Sequence, residues 1–293
     1  MKKTLKKLVG TALLLSTAYL AGCSDTATEE ATSASEPEKP VVAVSIVPER
    51  TFVEAVCGDT VDIVTLIPPG SNPGNYEPTA QEMEAFGDAE LYFSIGVATE
   101  EANILPNAGD VKVVPLAEEV AAVYPDRTFE SGGRDPHIWL SPKRVKVMVE
   151  AIAREMSALD PDNEELYEQN AADYLAQLDA VDQEIKTALE GVASKQFIVY
   201  HPSFGYIAED YGLTMHALEQ DGKEATAQHL QEMVDLAKAE GIKVIFYQEE
   251  MDSSQAEAFA EEIGGKTIQL APLAPDYIAN LQNMAATMAE AMQ

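Results

Sequence analysis

The chain has 293 residues, of which 50 are acidic and 19 basic, for a formal net charge of −31. A surface this acidic repels a phosphate backbone, which excludes nucleic acid as a partner. Its only cysteines are Cys23 and Cys57, too few for a disulfide-stapled fold, so a hydrophobic core must hold the protein together.

The first 22 residues carry four lysines (Lys2, Lys3, Lys6, Lys7), an apolar stretch from Leu8 to Leu20 and a small-residue end. This order reads as a signal peptide over residues 1–22, too short and wrongly flanked for a spanning helix. Leu20, Ala21 and Gly22 lead into Cys23, and the segment resembles the bacterial lipobox. That resemblance implies a lipidated Cys23 as the mature N-terminus and an extracytoplasmic, lipid-anchored protein. Removing residues 1–22 leaves 15 basic residues against 50 acidic ones. Residues 23–40, rich in Glu, Ser and Thr, cannot bury enough apolar surface to fold and read as a flexible tether. Cys57, among Val53, Val56 and Val61, reads as a small buried hydrophobe.

Folded sequence begins at Val41. β-rich runs at residues 41–47, 61–67, 91–96 and 111–116 alternate with helical patterns, which indicates parallel α/β layers. A helix starts at Ser141-Pro142 with Val145, Val149, Ile152 and Met156 on one face, and Asp160-Pro161 stops it. The next helix, from about Asp162 to Glu190, carries Tyr167, Ala171, Tyr174, Leu178, Val181, Ile185 and Leu189 at spacings of three or four, and Gly191 ends it. At 1.5 Å per residue it is a rod of roughly 43 Å. The alternation then resumes. Strand-like runs lie at 196–200, 213–218, 243–247 and 267–270, and helices near 204–211, at 226–240 and 253–263, and from Pro275. The fold class expected is α/β: two lobes with mainly parallel sheets joined by one long linking helix. The boundaries are 41–160 for the N-terminal lobe, 161–191 for the linking helix and 192–293 for the C-terminal lobe. Strand order within each sheet is left open.

Ligands of such sheets bind where the strands' carboxyl ends meet loops, which between two lobes is the inter-lobe cleft. Two post-strand segments carry histidine. His137 lies between Pro136 and a helix start, and His201 follows an apolar strand next to Pro202; both are rigid positions suited to neutral imidazole ligands of a metal. Read on residues alone, two unrelated hydrogen-bonded histidines remain the default reading, with a metal pair open beside it. His216, in a strand-like run, and His229, in the first turn of a charged helix, read as structural.

From about Val41 onward the chain resembles the zinc/manganese class (cluster A-I) of ABC-transporter substrate-binding proteins. The resemblance rests on PPGSNPGNYEPT, DPHIWLSP, HPSFGYIAEDYGL, GKEAT and LAPLAPDY in the family's order. It implies no enzyme but a monomeric receptor, with ABC permease and ATPase subunits as partners and a divalent metal as transported cargo. Zinc is favoured over manganese because position 201 is His and not Glu. The family's four ligand positions fall at Gly74, His137, His201 and Ala271, so two donors are missing. Glu77, Gln248 and Glu249 are the candidate replacements, and a glutamate would give a His₂Glu set with water completing the shell. Gly74 also leaves room for a bulkier cargo such as a chelated metal. The alternatives are the same fold and transport role with a metal complex or small organic molecule as cargo, or a surface adhesin or interaction protein. A surface zinc hydrolase built on His137, His201 and a glutamate is disfavoured, since the sequence has no HExxH helix, GxSxG elbow or Cys-His pair.

Overall fold

The structure is a computed structural model that describes residues 39–220 and 222–293. The signal peptide, Cys23 and all of the tether but its last two residues lie outside the described residues. The first lobe runs β1 (Val41–Val44), α1 (Val47–Cys57), β2 (Asp62–Thr65), α2 (Ala80–Gly87), β3 (Leu91–Ser94), β4 (Lys112–Pro115) and α3 (Leu116–Ala121). Its strands lie in the order β2-β1-β3-β4, and every pair is parallel. After α4 (Pro142–Leu159) and α5 (Glu164–Glu190), the second lobe runs β5 (Gln196–Val199), α6 (Gly205–Asp210), β6 (Thr214–Ala217), α7 (Ala227–Glu240), β7 (Val244–Gln248), α8 (Ser254–Glu262), β8 (Lys266–Leu270) and α9 (Tyr277–Ala291). The order β6-β5-β7-β8, again all parallel, repeats that of the first lobe.

The strands are shorter than their apolar runs. Run 41–47 contains β1 and the start of α1, because Pro48 in the first turn of α1 takes the chain out of the sheet while Ile46 and Val47 stay buried. Run 111–116 divides the same way at Leu116, the first residue of α3. Apolar character continues across both junctions because strand and helix face one core, so hydropathy alone cannot mark the break.

Helix α5 is continuous for 27 residues and begins after a 3₁₀ turn at Pro161–Asn163. Asp160 fixes that turn by accepting hydrogen bonds from Asn163 Nδ2 and the Tyr167 hydroxyl, both at 2.7 Å. The seven residues of its expected apolar stripe are its buried residues, and they pack on α1, α4 and α9. Cys57 is a free, buried thiol; burial, with Asp160 adding, pushes it up to about 12, so it behaves as a packing hydrophobe.

Candidate functional site

In each sheet the strand order reverses between its two central strands, β1 and β3 in one lobe and β5 and β7 in the other, and there the carboxyl ends of a doubly wound sheet open a crevice. A cavity of about 820 Å³ lies at these ends. Its walls come from the segments after β2 (Asn72, Pro73, Gly74), β3 (Gly96, Val97, Ala98), β5 (His201), β7 (Gln248, Glu250, Met251) and β8 (Pro272, Leu273), and from the loop that carries Phe129, Arg134 and His137.

His137 and His201 meet in this cavity, with ring centroids 5.3 Å apart and planes at 76°. They arrive from opposite sides of the linking helix in sequence, His137 before α4 and His201 directly after β5. Each ring is backed by a carboxylate: His137 Nδ1 lies 2.7 Å from Asp135 Oδ1, and His201 Nδ1 lies 2.6 Å from Glu219 Oε2. With Nδ1 bearing the hydrogen, Nε2 of each imidazole carries the lone pair, which is the second-shell arrangement that orients histidine ligands of metals.

The support behind His137 is itself well anchored. Asp135 is fully buried, accepts the His137 backbone N–H at 3.1 Å, and accepts Arg127 Nη1 at 2.7 Å. The Tyr206 hydroxyl donates to the Asp135 carbonyl at 3.0 Å and accepts from the Arg127 N–H at 3.2 Å. A Cβ at Gly205 would lie 2.3 Å from Arg127 Cζ, so only glycine at the start of α6 lets the guanidinium lie there. Burial would raise the Asp135 carboxyl, but hydrogen bonds and charge from His137, helped by Arg127, hold it below its ordinary value. Burial lowers the pKa of His137, with Asp135 opposing and His201 and Arg127 adding to the effect, so the ring is neutral and ready to coordinate.

The other sequence candidates are placed differently. Glu77 and Glu249 are exposed, and neither lines the cavity. The Glu249 N–H donates to the Leu270 carbonyl at 3.0 Å, which extends the β7–β8 ladder. Side chains alternate along such a strand, so Gln248 and Glu250 line the cavity while Glu249 faces away. Burial, reinforced by Glu249, raises the Glu250 carboxyl. Gly74 lines the cavity, whereas Ala271 does not, though the next two residues do. Among the described residues, no group of three or more His, Cys, Asp or Glu side chains is gathered to hold a metal. His216 Nε2 pairs with Gln196 Oε1 and His229 Nε2 with the Ala217 carbonyl, both at 2.9 Å and both outside the cavity.

Sequence reasoning passed over Arg127, Asp135 and Glu219. Asp135 had a readable signal, since an aspartate two residues before a histidine in Asp-Pro-His favours a local side-chain-to-backbone turn. Glu219 and Arg127 are brought in by the fold, and neither has a local signal.

The chain matches, over residues 42–291, the family described as zinc-uptake complex component A, periplasmic (ZnuA). The high-affinity zinc uptake system protein ZnuA of Bacillus subtilis is 31% identical over 267 residues, covering 85% of this chain and 82% of that protein. The iron ABC transporter substrate-binding lipoprotein MtsA of Streptococcus pyogenes serotype M1 is 26% identical over 263 residues, covering 85% and 84%. A crystal structure of ZnuA superposes with a TM-score of 0.81 at 35% identity, covering 87% of this chain and 100% of the other. With matched order of motifs, matched architecture and a match over most of its length, this chain belongs to the ZnuA family of periplasmic zinc-uptake components.

Proposed function

We propose that this protein is the extracytoplasmic substrate-binding subunit of an ABC importer, and that it captures a divalent transition metal, zinc in first place and manganese in second, between His137 and His201. The observation that carries the reading is the convergence of two imidazoles at 5.3 Å, each with Nδ1 engaged by a carboxylate, which leaves Nε2 as the ring nitrogen available to a ligand. Its task is capture and delivery to permease and ATPase subunits, without chemical turnover. The relatives' names, zinc uptake for one and iron transport for the other, support a metal cargo. A lipid anchor at Cys23, a tether to residue 40, lobes at 41–160 and 192–293 and a monomeric state complete the proposal.

Zinc and manganese titrations of the parent and of His137→Ala and His201→Ala test it. A ligand present at a hundred times its Kd stabilises the folded state by about 2.7 kcal/mol, and each histidine variant is expected to lose most of this gain. His216→Ala is the control and keeps it. If both cleft variants bind like the parent, the site assignment is wrong. Cys23→Ala is expected to leave the membrane fraction, and firm retention there would refute the anchor.

A further inference from the structure

The cavity is poorly matched to a bare ion. Zinc takes four donors in a closed protein site, and although Glu101, Asp126 and Glu250 line the cavity, no third His, Cys, Asp or Glu among the described residues is grouped with the two imidazoles to hold an ion. Its volume of about 820 Å³ falls in the range of small-molecule pockets, while one water occupies about 30 Å³ of liquid. At Gly74 a Cβ would meet only the neighbouring Asn72 side chain, so the position where the resemblance places a histidine itself supplies no donor side chain.

The remaining space has an apolar wall, and its charged lining is Glu101, Glu250 and the Asp126–Arg134 pair besides Lys223. Val97, Phe129, Trp139 and Leu273 supply apolar wall, and Lys223 supplies a cation at the rim. The Lys223 backbone exchanges hydrogen bonds with Gln220 at 3.0 Å, and the residue is exposed. Gly222, at φ 72°, brings this segment against the histidine: a Cβ there would lie 3.1 Å from His201 Cε1. The glycine therefore lets the segment that carries Lys223 approach His201 closely. Arg134, the other cation of the lining, is already paired with Glu118 and Asp126.

We infer that the cargo is a metal chelate: a divalent transition metal held by His137 and His201 on one side and by a small carboxylate-bearing chelator on the other, with the free carboxylate facing Lys223. This rests on the metal-binding reading above and names the form in which the metal is taken. The competing way to complete the shell is a swing of Glu250, which also lines the cavity.

Trp139 is the single tryptophan of the chain, its ring 5.1 Å from that of His137, so its fluorescence reports on the site. The full mature protein is titrated with zinc alone, zinc with citrate and zinc with L-histidine, at matched free zinc, and the complexes are weighed by native mass spectrometry. The expected result is at least tenfold tighter binding with one of the chelators, a retained 1:1:1 complex, and loss of that gain but not of zinc-alone binding in Lys223→Ala. Glu250→Gln is expected to leave the chelator-dependent binding in place. Equal zinc affinity in all three arms with no chelator retained, or loss of all zinc binding in Glu250→Gln, overturns the chelate while leaving the metal-receptor reading intact. No metal response in any arm overturns both.

Discussion

Asp135 and Glu219 are expected to matter to cargo nearly as much as the imidazoles they orient, since losing a second-shell carboxylate typically costs 10- to 100-fold in metal affinity. Asp135→Asn and Glu219→Gln are expected to fall in this range in a zinc titration with the fold retained. At His137 the metal also competes with a proton. The pKa of His137 lies below its ordinary 6.5, so the stability gained from a neutral ring is complete above that value and lost as pH falls through the lower folded one. Metal affinity falls over the same range, because a protonated ring cannot coordinate. Asp135 opposes the lowering, so Asp135→Asn is expected to move His137's part of this loss to still lower pH; an upward displacement would show that Asp135 does not act on the ring.

A second titrating pair underlies the cleft. Glu49 Oε2 accepts the N–H groups of Ser45 and Ile46 at 3.0 Å, while its buried Oε1 has no hydrogen-bond partner among the described residues. Glu100 accepts the Ile95 and Gly96 N–H groups at 2.8 and 2.7 Å, bonds the Ser45 hydroxyl, and so fixes the loop that lines the cavity at Gly96 and Val97. Burial, then the charge of Glu100, raises Glu49 well above its ordinary 4.5. Its contribution is therefore fully present below about pH 4.5 and is lost as pH rises through the folded value. A difference of 1 in pKa between folded and unfolded chain is worth about 1.4 kcal/mol. In Glu49→Gln the amide cannot ionise, but its NH₂ lacks an acceptor, at a cost of about 1–3 kcal/mol. Urea unfolding is expected to find the variant less stable at pH 4, with the deficit closing or reversing by pH 8; a deficit independent of pH would mean that Glu49 does not titrate in this interval.

At the scale of elements, legibility followed period and burial. The α5 stripe was readable because one face of a long helix is buried and the other is not. Leu178 on that face is fully buried, while Leu166 in the first turn of the helix is 41% exposed. Leu178→Ala is expected to cost about 2–5 kcal/mol in denaturant unfolding, and Leu166→Ala under about 0.5 kcal/mol. Similar costs at the two positions would show that the periodic face is not the packed one. Strand order was not readable, because parallel strands covered on both faces lack the alternation that fixes neighbours. A fainter signal was present: the central strands VVAV, LYFS, QFIV and VIFYQ are nearly all buried, and the edge strands DIVT, KVVP, TMHA and KTIQL carry polar residues and more exposure. That separates centre from edge but does not rank the edges. At the site, proline-flanked strand and helix ends made the placement of His137 and His201 legible, whereas Glu249 lies outside the cavity that its neighbours Gln248 and Glu250 line, a single residue being the interval over which a strand reverses its facing.

Across the whole molecule, the lobes share one apolar core that runs from Val42 through α5 to Phe246. Polar staples cross behind the cleft. Arg144 on α4, almost fully buried, donates from Nη1 to Asp210 Oδ1 on α6 at 2.9 Å, beside Ser141 and Lys143, which also bind Asp210. The Tyr277 hydroxyl donates to the Trp139 carbonyl at 2.6 Å, Trp139 Nε1 to the Pro272 carbonyl at 3.1 Å, and the Thr51 hydroxyl to the Pro275 carbonyl at 2.6 Å. Helix α5 contains neither Pro nor Gly, the residues at which helices bend sharply. Opening the lobes as rigid bodies would break these bonds together and expose the shared core, so cargo is expected to move the cavity loops and leave the lobes within about 1 Å of their positions. Solution scattering of the full mature protein with and without zinc checks this, and a compaction of several Å would refute it. Arg144→Ala supplies the converse test. Removing one partner of a buried ion pair costs about 3–5 kcal/mol, and here the lower end is expected because Lys143 and Ser141 still satisfy Asp210. If the staple restrains the lobes, hydrogen exchange at the α4–α6 contact rises in this variant while that of the β1–β3 centre stays as in the parent; unchanged exchange at the contact would place the restraint in the apolar core alone.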